Sequence, residues 1–427
     1  MMQSGSVVNI AGRGPLTGRA HVPGDKSISH RALLLGALAE GTSRISGLGD
    51  GQDIVATRAA LAMMGIEFVD DLIHGGRSRL KEPERPLDMG NSGTGTRLLA
   101  GVLASMPFLS ILIGDESIHR RPMERVVTPL REMGAFIDGR DHGRFAPLVV
   151  RGGHLHGIEY TPNVASAQVK SAILLAGLAA SGETVVREPI ATRRHTEEMM
   201  QQAGARIAFP TSTTDYVVTL SASELVPFQI QIPCDPSQAA FFVVAASIVP
   251  GSDLVIENVY VGPGRAGFLD VLLRMGADIT TVDRGANVAD IHVRYADLTG
   301  TEIGGVEIPS LIDEIPILSV AAACAEGTTV IRDAKELKVK ESDRIATVTS
   351  EMRAIGAQVE PTDDGLVITG PSLDPQGTVR SHGDHRIAMS LAIAALRGHG
   401  TLQITGFDSV ATSWPTFMDD LEALQCG

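Results

Sequence analysis

Eight cations stand in telling places along this 427-residue chain: Lys26, Arg31, Arg97, Arg121, Arg193, Lys340, Arg344 and Arg386. Each lies at or near a short polar segment that borders one of the chain's apolar runs. The formal net charge is −14, so the surface as a whole repels nucleic acid and anionic membranes. Local cation clusters in such a protein read as built sites for small anions. Ser27 and Arg31 are four residues apart, which sets a hydroxyl and a guanidinium on one helical face. Lys340 and Arg344 repeat that spacing, with Glu341 three residues before Arg344. The stretch Asn91–Arg97 holds two glycines and three hydroxyl residues just ahead of LLAGVLA, so its backbone can approach a phosphate or carboxylate closely. It lacks the Gly-Lys-Ser/Thr ending of a nucleotide-triphosphate loop.

A plainer reading covers part of this. Asp25 and Asp235 have the residue type of helix N-caps, the second followed by Pro236 at a first helical position. Lys340, Glu341 and Arg344 also fit a surface ion-pair pattern. Capping leaves the accompanying cations unexplained. Gly262-Pro-Gly-Arg-Ala-Gly267 matches the dinucleotide fingerprint, after a strand-like LVIENVYV and with Asp283 downstream. It occupies a connector where the other repeats carry unrelated loops, and Pro263 suits a turn, so the dinucleotide reading is set aside.

These residues must be positioned by repeated elements. One pattern recurs six times, starting at 25, 91, 166, 235, 313 and 384: a polar residue, a small-residue apolar helix, Gly with Ser or Thr, then a β-branched strand. The spacing of roughly 70 residues exceeds that of solenoid repeats. Each copy adds a second, amphipathic helix, ending as ALAMMGIEF, PLREMGAFI, MMQQAGARI, LLRMGADI, EMRAIGAQV and LEALQCG. The first helix of each copy is apolar nearly all round and should be buried; the second should lie outside. Six buried helices divide into two groups of three, one α/β domain each. The expected domains are 25–234, inserted, and 1–24 with 235–427. Strand-like VVNIAG at 7–12 would complete the latter, and the crossover would fall in the proline-containing VPFQIQIPCDPSQ. Helix N-termini carry partial positive charge, so six of them facing a common cleft would draw anions.

A composition of 44% hydrophobic and 20% charged residues predicts folding throughout. Cys234, Cys324 and Cys426 show neither a disulfide framework nor zinc spacing. The opening Met1–Gly12 lacks signal and transit features, and no apolar stretch is long enough to span a membrane. The expectation is a cytoplasmic, monomeric protein.

PGDKSISHRALLLGALAEG, GNSGTGTRLL, RRPM, SAQVKSAILLAGL, LKVKESDRIA and GDHRIAM, in that order from 23 to 389, resemble the signature segments of the 5-enolpyruvylshikimate-3-phosphate synthase family. The resemblance implies an inverse α/β prism: two similar domains, each of three αβ repeats, closing over substrates. It also implies transfer of the carboxyvinyl group of phosphoenolpyruvate to the 5-hydroxyl of shikimate 3-phosphate, releasing phosphate, with no metal or organic cofactor. By motif, Lys26, Ser27, Arg31, Ser166, Ala167, Gln168, Arg193, Asp313 and Lys340 would hold shikimate 3-phosphate; Arg194 adjoins Arg193. Lys26, Gly93, Arg121, Gln168, Arg344 and Arg386 would hold phosphoenolpyruvate. Asp313 matches the general base, Glu341 the acid that protonates the methylene carbon, and Lys26 completes the catalytic set. His385 is an alternative proton carrier, or a histidine bonded locally at a helix start. Glyphosate competes with phosphoenolpyruvate in this family, and Gly93 keeps the unsubstituted position associated with sensitivity.

The chain departs from the family pattern at Ala167, where a second serine is usual, and at Glu336, where many members have asparagine. Thr412 in TSWP stands where a lysine is expected, and Lys170 is a candidate to compensate. A related enzyme transferring enolpyruvate to UDP-N-acetylglucosamine is the alternative. It usually carries Lys-Asn in the first repeat and a reactive cysteine in the second, which Lys26-Ser27 and the absence of cysteine before Cys234 oppose. A repeat protein that only binds anions would not need Asp313 and Glu341 beside Lys340.

Overall fold

Six apolar helices form where the repeats begin: Lys26–Leu38, Gly93–Leu103, Ala167–Gly177, Pro236–Ile248, Ile315–Cys324 and His385–Ala395. They are called here the first to sixth inner helices. Nearly every residue on each is buried, the outcome of Ala- and Leu-rich segments without a polar stripe. The polar residues that open four of them are caps: Ser92, Ser166, Asp235 and Asp384 accept hydrogen bonds from backbone N–H groups of the first turn. Small residues let the helices approach closely. A Cβ on Gly101 of the second inner helix would fall 2.4 Å from the Ala172 carbonyl oxygen of the third.

The computed structural model describes residues 6–211 and 214–425 and divides into two units. One comprises Met1–Asp25 with Pro233–Gly427, the other Lys26–Ile232. Cys426 lies outside the described residues. Each unit holds three inner helices. Among the outer helices, Gln52–Met63, Glu124–Glu132 and Arg344–Ala354 keep an exposed face, whereas His195–Gln202 is buried nearly all round until its last two residues. None of the described helices is long and apolar enough to cross a membrane.

Among the described residues six sheets accompany the six repeats, five of four strands and one of three. The strand that follows each inner helix is central. On one side it pairs antiparallel, and on the other it pairs parallel with a short strand from just ahead of an inner helix. In four repeats that parallel strand is the repeat's own, as Leu87–Asp88 beside Leu109–Ile113. The first and fourth repeats instead exchange theirs. Thr17–Ala20 pairs with Asp253–Tyr260, and Gln229–Gln231 with Gly41–Ser46. Val7–Ala11 runs antiparallel to Thr401–Thr405 and supplies the third strand of the last sheet.

Where the chain passes from one unit to the other it does so twice, side by side. Gly24 bridges Cys234; Asp25 N–H donates to the Pro233 carbonyl at 2.8 Å and Asp235 N–H to the Pro23 carbonyl at 2.8 Å. In the unit that begins the chain, Phe242, Trp414 and Phe417 form an aromatic knot, with Phe242 and Trp414 ring centroids 4.9 Å apart. The Trp414 indole donates to Asp420 at 2.7 Å, so its buried polar atom is satisfied.

Candidate active site

In the unit Lys26–Ile232, polar groups converge at the beginnings of the three inner helices. Lys26 Nζ reaches Asp53 Oδ2 at 3.0 Å; Asp53 is a buried carboxylate on the outer helix Gln52–Met63. Ser27 Oγ accepts from the Arg193 guanidinium at 2.9 Å. Arg31 is almost wholly buried and donates to Thr196 Oγ1 at 2.6 Å, Ser171 Oγ at 2.7 Å and the Ser27 carbonyl at 2.9 Å. Gln168 links two helices, accepting from Arg97 at 2.6 Å and donating to Thr94 Oγ1 at 2.8 Å. Ser166 caps the helix that carries Ala167 and Gln168.

Gly93 and Arg121 meet closely. A Cβ on Gly93 would sit 2.5 Å from the guanidinium carbon of Arg121, so glycine is what allows that arginine its place. His30, between Thr57 Oγ1 at 2.9 Å and Ser92 Oγ at 3.4 Å, ties the first inner helix to the next two helices. Burial, reinforced by the nearby Lys26 and Arg31 charges, holds its pKa well below the ordinary value, so the imidazole is neutral.

The other unit carries the carboxylates. Asp313 Oδ1 accepts from Lys340 Nζ at 3.0 Å and faces Arg344 Nη1 at 3.4 Å. Arg344 also donates to Glu341 Oε2 at 2.7 Å and Asp384 Oδ2 at 2.9 Å. Burial alone would lower the Arg344 pKa, but Asp384 and Glu341 outweigh it and the guanidinium keeps its proton. Arg386 Nη1 donates to the Asp313 main-chain carbonyl at 2.9 Å. Burial lowers the Lys340 pKa below its ordinary range against the pull of Asp313. His385 is buried at the start of the sixth inner helix.

The groups in this unit form one connected frame: Asp313, Lys340, Glu341, Arg344 and Arg386. In the other, Lys26, Ser27, Arg31, Arg193, Gln168 and the Gly93–Arg121 pair lie around the helix starts. Two readings from the sequence are corrected, and the place of Thr412 is now defined. Lys340 and Arg344 do not share a helical face; Lys340 ends a 3-10 turn and Arg344 opens the helix Arg344–Ala354, so a loop brings them together. Lys170 is fully buried between Glu188 and Glu197, 2.7 Å from each, so its charge is already paired and it does not take the place of the lysine expected at Thr412. Thr412 is buried and spends its hydroxyl on the Ser409 carbonyl at 2.6 Å. The sequence reading missed Asp53, Thr94 and Glu314 as partners and saw Asp384 only as a repeat start. An acidic residue opening a helix next to a cation cluster was the available signal.

The EPSP synthase (3-phosphoshikimate 1-carboxyvinyltransferase) family model matches residues 10–421. The 3-phosphoshikimate 1-carboxyvinyltransferase of Bacillus thuringiensis subsp. konkukian is 49% identical over 418 residues, covering 96% of this chain and 97% of the relative. That of Bacillus cereus strain G9842 is 49% identical over 419 residues with the same coverage. An EPSP synthase structure from Acinetobacter baumannii superposes with a TM-score of 0.84 at 43% identity, covering 98% of both chains. The enolpyruvyl transferase NikO from Streptomyces tendae shares the fold at TM-score 0.78 and 20% identity over 99% of this chain and 98% of its own. The order of motifs, the sixfold repetition and this near-complete coverage agree, and the chain belongs to the EPSP synthase family.

Proposed function

We propose that this protein transfers the enolpyruvyl group of phosphoenolpyruvate to the 5-hydroxyl of shikimate 3-phosphate and releases phosphate. Lys26, Ser27, Arg31, Ser166, Ala167, Gln168, Arg193, Asp313 and Lys340 hold shikimate 3-phosphate. Lys26, Gly93, Arg121, Gln168, Arg344 and Arg386 hold phosphoenolpyruvate.

An enol ether carbon becomes electrophilic when its methylene neighbour is protonated, so the reaction needs an acid at the methylene and a base at the attacking hydroxyl. Glu341 gives its proton to the methylene, making a methyl group. Asp313 takes the hydroxyl proton as the oxygen bonds to the central carbon. The resulting tetrahedral intermediate loses a methyl proton and its phosphate, the C–O bond to phosphate breaking as the double bond reforms. Fixed cations offset the substrate anions and stabilise charge as it develops. Lys26 serves in catalysis as well as in binding.

The observation that carries this reading is the frame in which Asp313 and Glu341 both contact Arg344, with Lys340 on Asp313. Two carboxylates held against one guanidinium are what a transfer that needs a base at the hydroxyl and an acid at the methylene calls for. Phosphate release from phosphoenolpyruvate tests it, run with shikimate 3-phosphate, with UDP-N-acetylglucosamine and with no acceptor. Release that requires shikimate 3-phosphate is expected; release only with the sugar would reassign the acceptor. Asp313→Asn should then lower kcat by about 10²- to 10⁴-fold while leaving shikimate 3-phosphate binding within roughly tenfold.

A further inference from the structure

The Gly262–Gly267 loop, set aside as a nucleotide motif, delivers one residue into the interior. Arg265 follows Gly264, whose φ of +75° is a left-handed turn conformation, and is 2% exposed. One nitrogen of its guanidinium, Nη2, lies 2.7 Å from Asp25 Oδ2 and 2.7 Å from Asp235 Oδ1. These two carboxylates are themselves buried, and they sit on the two adjoining chain crossings, each next to the start of an inner helix. The other terminal nitrogen, Nη1, donates to Ser237 Oγ at 3.2 Å. Arginine has only donors, so Ser237 must accept there, and its single hydroxyl hydrogen is left to point at Glu314 Oε1, its other contact. That same Glu314 oxygen is 3.6 Å from Arg386 Nη1.

A continuous path therefore runs from the crossings through Arg265, Ser237 and Glu314 to Arg386, which also donates to the Asp313 main-chain carbonyl. Burial pushes Glu314 toward the neutral acid, and Arg386 and Arg265 oppose it. The Ser237 hydroxyl, with its direction imposed by Arg265, helps hold that oxygen as an acceptor beside Arg386.

We propose that Arg265 is a positioning residue for the transfer reaction: it locks the two chain crossings together and, through Ser237 and Glu314, fixes the orientation of the Arg386 guanidinium. This rests on Arg386 being a phosphoenolpyruvate ligand, as proposed above. Arg265 is too buried to meet substrate and acts only through these neighbours.

The experiment is a double-mutant cycle on the full chain with Arg265→Lys and Ser237→Ala, plus Ser237→Thr as the conservative replacement. Lysine keeps the charge but lacks a planar fork that spans two carboxylates and a serine. Ser237→Ala cuts the path to Glu314 and leaves both aspartate contacts in place. Each single variant should lower kcat/KM for phosphoenolpyruvate by at least about tenfold, with shikimate 3-phosphate binding within about threefold, and the double variant should be no worse than the poorer single one. Ser237→Thr should restore most of the loss. Ser237→Ala within twofold of the parent, or two losses that multiply, would overturn the proposal. Should Arg265→Lys not fold, the Ser237 pair decides alone. The parent enzyme's shikimate 3-phosphate-dependent phosphate release separates the outcomes: if the parent lacks it, the functional reading fails, and if only the variants behave independently, the positioning role fails.

Discussion

At the scale of single residues, a small atom count decides much. Gly93 has no room for a methyl group, because the Arg121 guanidinium fills the space a Cβ would take. Gly93→Ala must push Arg121 aside, and if Arg121 holds phosphoenolpyruvate as proposed, a displacement near 1 Å costs on the order of 10- to 100-fold. That loss should appear as a raised KM for phosphoenolpyruvate, with shikimate 3-phosphate affinity measured by calorimetry unchanged. Lys340 gives a pH signature. Its charged form contacts Asp313, and burial places its pKa below the ordinary 10.5, so charge is lost as pH rises through that lowered value. The rate should therefore fall on an alkaline limb below pH 10.5. Arginine stays charged far above that range, so Lys340→Arg should move the limb upward even if the overall rate drops. An unmoved limb would assign it to another group.

The inner helices determine which residues meet. His30 lies on the first inner helix, bonded to Thr57 on one neighbour and to Ser92 at the cap of the second inner helix. Its folded pKa is depressed from 6.5, so below pH 6.5 the unfolded chain binds a proton that the folded chain refuses. Stability is therefore intact above 6.5 and is lost as pH falls below it, by about 1.4 kcal/mol per pH unit until the folded value is reached. Urea melts at pH 5 and pH 7.5 should show this loss, and His30→Gln should reduce it, since glutamine keeps polarity without titrating. The capping residues and the apolar runs of these helices were legible in the sequence because they depend on neighbours along the chain. The strand exchange between the first and fourth repeats was not. It pairs Gln229–Gln231 with Gly41–Ser46, far apart in sequence, and both short strands look alike locally.

For the molecule as a whole, the decisive feature is that one unit is inserted within the other through two adjoining crossings. The insert Lys26–Ile232 begins and ends where Asp25 and Pro233 are hydrogen-bonded, so its ends are already close, and it has three inner helices and three sheets of its own. Such a segment should fold alone. Expressed as 26–232, it should show a cooperative thermal transition and retain some shikimate 3-phosphate binding, because most of the groups proposed to hold it, Ser27, Arg31, Ser166, Gln168 and Arg193 among them, lie within it, whereas Asp313 and Lys340 do not. It should release no phosphate from phosphoenolpyruvate, since Asp313 and Glu341 are not. Turnover by the excised segment would remove both carboxylates from the mechanism.

By itself the sequence determined the six repeats, the buried character of their first helices and the family, because periodicity and short motifs are local properties of a chain. It also put Lys26, Asp313, Lys340, Glu341, Arg344 and Arg386 forward as a set. Tertiary structure alone decided their partners. Lys170 looked available and is sealed between two glutamates, while Arg265 looked like part of a loop motif and proves to join two distant aspartates. The reason is physical: a charge is buried only where opposite charges or hydrogen bonds compensate it, and those compensating groups arrive from segments that the chain order does not place side by side.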